Sequence, residues 1–137
     1  MRILYFAYGS NMNPARMRAR CPGARWVGTA TLRGWRLVER LYADVERSPG
    51  SAVRGVLYGL TARDLARLDM CEGWPNVYGS RRVRAWADGL GWRDCMVYVL
   101  TDETRRDRAG MPYPEWYRAV CSEGARTNGI PDAFAAA

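Results

Sequence analysis

The chain contains no histidine and no lysine among its 137 residues. Without histidine, neither a Ser-His-Asp triad nor a Cys-His pair can form, which excludes the common nucleophilic hydrolase sites. The four cysteines form no Cys-x-x-Cys pair, so we expect no structural zinc and assign no metal ligands. In a reducing compartment they should be free thiols. They are Cys21, Cys71, Cys95 and Cys121.

Long apolar segments are also missing from the sequence. No stretch approaches the ~20 residues of a membrane-spanning helix. The N-terminus lacks the basic region and long apolar region of a secretory signal. We therefore expect a cytoplasmic protein that does not enter a membrane. With 137 residues and ordinary apolar content, residues 1–137 are expected to fold as a single domain.

The formal net charge is +7, and every basic residue is arginine. The absence of lysine beside many alanines and glycines is typical of the coding bias of a GC-rich genome. Most tryptophans alternate with polar neighbours in predicted strands, which predicts that they belong to the core. We therefore expect no nucleic-acid partner. A module that binds nucleic acid or an acidic partner stays open as an alternative, and steep loss of binding with added salt would be its signature.

The apolar pattern predicts strands interspersed with short helices. Glycine at position 34 is predicted to form a β-bulge. We expect an α+β protein with a mostly antiparallel, barrel-like sheet and short flanking helices. The predicted strands are residues 2–8, 26–40, 53–60, 78–86 and 92–100, and the predicted turns are 48–51, 88–91 and 128–131. The predicted helices are residues 14–20, one that is capped at Thr61 and stops at Gly73, and one from Pro114 to Gly124.

The first candidate site is a turn at Gly9-Ser10-Asn11. It follows a short apolar strand and precedes Asn13-Pro14, which reads as a helix N-cap and first helical residue. A strand–loop–helix junction of this kind directs free backbone N–H groups toward its mouth. Such N–H groups are suited to holding a carboxylate or a phosphate.

The best candidate for proton transfer is Glu72. It is placed at the C-terminal end of a predicted helix, where the dipole disfavours a further negative charge. Its neighbours Met70, Cys71 and Trp74 are apolar. Both effects should raise the pKa of Glu72, as a residue that acts as both acid and base requires. The alternative is a solvated glutamate at a helix end.

Three segments of the chain together resemble the γ-glutamyl cyclotransferase (AIG2-like) family. Residues 8–12, Tyr-Gly-Ser-Asn-Met, resemble its Y-G-S-N-[LM] motif. Residues 68–73, followed by Tyr78, resemble its L-D-x-x-E-G motif with a tyrosine a few residues later. The segment from Pro114-x-x-Tyr117 through residues 124–131 resembles its C-terminal G-A-x-x-N-G-[LI]-P motif. The three matches lie in family order and cover nearly the whole chain.

This resemblance implies a small mixed β-barrel and an intramolecular reaction. The α-amine of a γ-glutamyl amine or γ-glutamyl amino acid attacks its own γ-carbonyl and releases 5-oxoproline. The resemblance makes Glu72 the acid and base. The backbone N–H groups of Gly9, Ser10 and Asn11 would hold the glutamyl carboxylate or the developing oxyanion. No cofactor is implied.

The resemblance also implicates three tyrosines. Tyr8 would shape the wall of the pocket, and Tyr117 would donate its hydroxyl to the substrate. Tyr78 could do the same. For Tyr78 and Tyr117 the alternative is a core ring whose hydroxyl is satisfied by the protein.

The sequence leaves several alternatives open. Residues 74–77, Trp-Pro-Asn-Val, are bulkier than the Ser-Gly of many relatives, and we expect them to reshape the leaving-group side of the pocket. A catalytically silent member of the fold that binds an anionic γ-glutamyl-type molecule is the alternative to an enzyme. The leaving amine and the oligomeric state are not predicted.

Overall fold

The computed structural model describes residues 2–135; Met1, Ala136 and Ala137 lie outside it. The strands are β1 (Ile3–Ala7), β2 (Arg25–Arg40), β3 (Tyr42–Leu60), β4 (Tyr78–Ala87) and β5 (Gly91–Leu100). The helices are α1 (Pro14–Arg20), α2 (Ala62–Cys71), α3 (Asp102–Asp107) and α4 (Glu115–Thr127). The strands form a closed barrel in the order β1–β3–β2–β4–β5. The parallel pair of β1 and β5 closes an otherwise antiparallel sheet, which confirms the predicted fold class.

The long β2–β3 hairpin differs from the prediction in one respect. Its turn lies at Leu41, whose φ is +65°, because strand pairing continues to Arg40 and Tyr42. Residues 48–51, predicted as a turn, lie inside β3 and form a bulge opposite Gly34. The bulge predicted at Gly34 is therefore confirmed, and the turn predicted at residues 48–51 is wrong. Residues 48–51 form the extra length of the bulge, and β2 and β3 continue to pair on both sides of it.

The core is filled by aliphatic side chains and tyrosines rather than by tryptophans. Trp35 is buried, but the other five tryptophans are substantially exposed. The prediction that most tryptophans are core residues is therefore wrong. Their rings lie on the outside of the barrel and helices, where arginines cover some of them; Arg33 and Arg84 both lie over the ring of Trp92. The exposed residues are Trp26, Trp74, Trp86, Trp92 and Trp116.

The helices largely follow the local signals in the sequence. The side chains of Thr61 and Asp64 form the predicted capping box at the start of α2. Helix α3, which begins after Thr101, was not predicted. All four cysteines are free thiols, as expected. Within residues 2–135, no helix is long and apolar enough to cross a membrane.

Helix α4 continues three residues past its predicted end at Gly124. Glycine is needed there for packing rather than for termination. A Cβ atom on Gly124 would lie 2.5 Å from the backbone nitrogen of Asn13 and 2.7 Å from the carbonyl carbon of Met12. The side chain of Asn128 also donates to the Met12 carbonyl at 2.9 Å. The missing side chain thus allows α4 to lie directly against the turn at residues 9–12.

We predict that Gly124→Ala destabilises the protein. Alanine in an open helix normally stabilises by ~0.5–1 kcal/mol relative to glycine. Here the added methyl group meets backbone atoms, so we expect the free energy of unfolding to fall by about 1–3 kcal/mol. Urea unfolding followed by circular dichroism measures the change. A gain in stability would contradict the close approach.

Candidate active site

A pocket of about 370 Å³ opens between the turn at residues 9–12, the end of α2 and the start of β3. This volume falls within the ~300–1,000 Å³ of small-molecule sites. The structure brings all seven predicted site residues to its wall. They are Tyr8, Gly9, Ser10, Asn11, Glu72, Tyr78 and Tyr117. Of the bulky segment 74–77, only Val77 lines the pocket.

The turn at residues 9–11 leads into the helix cap that the sequence predicts. Asn13 caps α1, and its side-chain oxygen accepts from the N–H groups of Ala15 and Arg16. The N–H groups of Met12 and Asn13 bond back into the turn. Among hydrogen bonds within residues 2–135, none is donated by the backbone N–H groups of residues 9–11. These three donors are free to bind an oxyanion or carboxylate.

Glu72 caps the C-terminus of α2, and its side chain is only 15% exposed. Its Oε1 atom accepts from Nδ2 of Asn11 at 3.2 Å and lies 3.4 Å from Nη1 of Arg20. Burial raises the pKa of Glu72 above its ordinary value, while Arg20 and Asn11 pull that pKa down in part. The predicted direction of the pKa shift is therefore confirmed.

The burial of Glu72 comes from the pocket rather than from its neighbours in sequence. Met70 is 83% exposed and Trp74 is 47% exposed, so neither encloses the carboxylate as expected. The buried residue Tyr5 lines the same pocket, and its hydroxyl accepts from Nδ2 of Asn11 at 2.9 Å. Asn11 therefore joins Tyr5 to Glu72 through its side chain, in addition to the backbone role predicted for it.

The three predicted tyrosines converge on the backbone N–H and carbonyl of Ala43. Tyr78 donates its hydroxyl to the Ala43 carbonyl at 2.8 Å. Tyr8 donates to the carbonyl of Tyr98 at 2.7 Å and lies 3.4 Å from the Ala43 carbonyl. Tyr117 accepts from the Ala43 N–H at 3.0 Å. Because the Tyr117 hydroxyl acts as the acceptor of that bond, the bond does not use its proton.

The backbone at Ala43 is held in place by the next residue, Asp44, which is completely buried. One carboxylate oxygen of Asp44 accepts from the backbone N–H of Leu100 at 3.0 Å. The other accepts from Arg40 at 2.8 Å and lies 3.3 Å from Nε of Arg105. Sequence analysis did not identify this anchor, because its partners come from distant parts of the chain.

Two arginines of helix α1, which were not among the predicted site residues, also belong to the pocket. Arg16 and Arg20 both line it, and Nε of Arg16 donates to the Ser10 hydroxyl oxygen at 2.9 Å. Their i, i+4 spacing places them on one face of α1, whereas Arg18 between them is exposed. That spacing was the available signal.

Comparisons with known proteins agree with this geometry. The sequence model of the family described as "Gamma-glutamyl cyclotransferase, AIG2-like" matches residues 5–118. The gamma-glutamylcyclotransferases of Mus musculus and Homo sapiens are each 28% identical, over 96% and 94% of this chain and 74% and 73% of theirs. A solved gamma-glutamyl cyclotransferase structure has a TM-score of 0.80 at 26% identity, covering 96% of this chain and 82% of its own. YkqA of Bacillus subtilis gives 0.80 at 27% identity, covering 97% and 51%. The chain belongs to the gamma-glutamyl cyclotransferase, AIG2-like family.

Proposed function

We propose that this protein cyclises a γ-glutamyl amine or γ-glutamyl amino acid and releases 5-oxoproline and the free amine. The observation that carries the proposal is a largely buried carboxylate of raised pKa, Glu72, in one pocket with a turn of free backbone N–H groups at residues 9–11. The names of the related proteins support the same reaction.

The first chemical step is attack within the substrate. Ionised Glu72 removes a proton from the α-ammonium group, and the freed nitrogen attacks the γ-carbonyl carbon to form the five-membered ring. The carbonyl oxygen gains negative charge, which the backbone donors of residues 9–11 can stabilise. Oε2 of Glu72 is the oxygen suited to this transfer, since Oε1 already contacts Asn11 and Arg20.

The second step breaks the original amide bond. Protonated Glu72 gives its proton to the leaving nitrogen, and the carbon–nitrogen bond breaks as the carbonyl re-forms. The ring nitrogen loses two protons in the whole reaction, and the leaving amine gains two when it departs as an ammonium ion. A single carboxylate can carry both, one at a time, which suits a pKa raised toward the working pH.

The reaction needs neither a nucleophile from the protein nor a cofactor. Both reacting atoms belong to one molecule, and holding that molecule folded can contribute ~7–11 kcal/mol to lowering the barrier. In the proposal the walls formed by Tyr8, Tyr78 and Tyr117 fold the substrate. Tyr117 donates its hydroxyl proton to the substrate.

The proposal also includes the domain organisation, the partners and the location of the protein. In this proposal residues 1–137 act as a single domain on a small molecule in the cytoplasm, and nucleic acid takes no part. The free, mostly buried thiols fit a reducing compartment.

The proposal is tested by measuring 5-oxoproline released from a panel of γ-glutamyl amino acids and γ-glutamyl amines. Mass spectrometry should detect the product and the matching free amine in equal amounts. A folded protein that releases no product from any member of the panel would support the silent, binding-only alternative.

We predict that Glu72→Gln folds and binds substrate but turns it over at least ~10²–10⁴-fold more slowly, because the amide cannot carry a proton between the two nitrogens. Initial rates and calorimetric binding separate the two effects. Glu103→Gln, at an exposed position on α3, is the matched control and should keep full activity. Near-normal turnover by Glu72→Gln would remove this residue from the mechanism.

We predict that Arg20→Met moves the acid limb of the pH–rate profile to higher pH. The positive charge of Arg20 lowers the pKa of Glu72, so its removal raises that pKa. Glu72 must be ionised to accept the first proton, and activity would then appear only at higher pH. The pH dependence of kcat/KM measures this shift. Arg18→Met, on the exposed side of α1, should leave the limb in place; a downward shift for Arg20→Met would contradict the assignment.

We predict that Gly9→Ala harms activity more than Ser10→Ala. A Cβ on Gly9 would lie 2.9 Å from the Tyr117 hydroxyl and 3.1 Å from the Ala43 Cβ, and would displace the turn. Ser10→Ala keeps the backbone donors and removes only the acceptor for Arg16. Steady-state kinetics of both variants provide the test. The reverse order would show that the Ser10 side chain, rather than the backbone, is the important donor or acceptor.

A further inference from the structure

An unpaired arginine projects into the pocket from the segment after α3. Arg108 lines the pocket, and its guanidinium carbon lies 5.4 Å from the centre of the Tyr42 ring. Within residues 2–135, its Nη1 atom is buried and has no hydrogen-bond partner. Leaving a buried, charged donor unsatisfied is unfavourable, so such a group usually has an anionic partner. Among the ion pairs of the described chain, none involves Arg108.

Arg108 is separated from the other cationic part of the pocket by two aromatic rings. Arg16 lies over the ring of Trp116 at 5.6 Å, and it also holds Ser10 in the turn. The Trp116 ring lies 6.2 Å from that of Tyr42, which Arg108 covers. The pocket therefore offers positive charge at two separate places, one beside the turn and one at Arg108.

Glu72 and Arg108 both act on the hydroxyl of Tyr78. Burial is the main cause of the raised pKa of Tyr78; the negative charge of Glu72 adds to the rise, and the positive charge of Arg108 opposes it. Tyr78 thus lies within electrostatic range of both the proposed proton carrier and the unpaired guanidinium. Glu72, Tyr78 and Arg108 line the same pocket, so a substrate whose reacting amide lies at Glu72 can extend past Tyr78 toward Arg108.

We infer that Arg108 binds a carboxylate on the leaving group and so determines substrate class. A γ-glutamyl amino acid or peptide carries carboxylates at both ends, matching the two positive regions, whereas a γ-glutamyl amine carries only one. Arg16, beside the turn, receives the glutamyl carboxylate, and Arg108 receives the carboxylate of the departing amino acid. The inference rests on the proposed function and adds to it a preference for γ-glutamyl amino acids over γ-glutamyl amines.

The test uses two compounds that differ only in that carboxylate, γ-glutamylalanine and γ-glutamylethylamine. Their binding is measured by calorimetry in the Glu72→Gln background, where turnover does not interfere. A charge-assisted hydrogen bond in a partly buried site should make γ-glutamylalanine bind about 10–100-fold more tightly. Adding Arg108→Met should abolish this difference while leaving the affinity for γ-glutamylethylamine unchanged.

Two further variants separate recognition from folding. Arg108→Lys keeps a positive charge and should restore part of the preference for γ-glutamylalanine. Arg106→Met, at an exposed position on α3, is the matched control and should retain the full preference. Thermal unfolding of each variant shows whether the barrel is intact.

The other outcomes overturn the inference in recognisable ways. Equal weakening of both compounds by Arg108→Met would place Arg108 on the glutamyl half or in a purely structural role. No effect on either compound would remove it from recognition. Binding of neither compound would overturn both the inference and the proposed function. The wild-type protein is assayed in parallel: a binding preference without 5-oxoproline release from either compound would contradict only the proposed reaction.

Discussion

The closure of the barrel by β1 and β5 is the constraint on which the site depends. These strands pair in parallel at Tyr5 and Met96, and the rings of Tyr5 and Tyr98 meet edge to face at 5.7 Å. This closure places the turn that follows β1 beside the end of β5. There the Tyr8 hydroxyl donates a hydrogen bond to the Tyr98 carbonyl. A sheet left open at this seam would separate the backbone donors of the turn from the tyrosine wall.

That wall gives Glu72 the surroundings that its proposed role requires. Burial favours the protonated carboxyl, and the nearby Arg20 and Asn11 keep the ionised form accessible. A carboxyl group whose folded pKa exceeds its unfolded value binds protons more tightly in the folded protein. Its contribution to stability therefore falls as pH rises through that pKa. The site thus holds a charge at some cost to stability, as is common where a carboxyl group is tuned for proton transfer.

The parts of the site that depend on local rules could be predicted from the sequence. The turn at residues 9–11, the Asn13 cap and the capping box at Thr61 all follow from neighbours within a few residues. The direction of the pKa shift of Glu72 was also predicted, but its burial comes from the pocket wall, since the exposed Met70 could not supply it.

The parts that depend on distant contacts could not be predicted. The Ala43 carbonyl accepts from the hydroxyl of Tyr78, 35 residues away, and the Ala43 N–H donates to the hydroxyl of Tyr117, 74 residues away. Nothing in the sequence around Ala43 indicates these contacts. Gly124 was predicted to end the helix, because glycine is common at helix C-termini. A close approach between the helix and the turn also requires glycine, and the sequence alone does not distinguish the two causes. Trp26, Trp86 and Trp92 alternate like core residues in predicted strands, yet they lie on the outer face of a barrel whose interior is filled by smaller side chains and tyrosines.

The mechanism proposed for Glu72 requires the pocket to raise the proton affinity of this carboxylate. A carbon-13 NMR titration of the glutamate carboxyl groups measures that affinity, and the signal missing from Glu72→Gln identifies the residue. We expect the pKa of Glu72 to lie above its ordinary value of 4.5 in the folded protein. A pKa at or below 4.5 would mean that the ion pair with Arg20 outweighs burial, and it would contradict the assignment of Glu72 as the group that carries both protons.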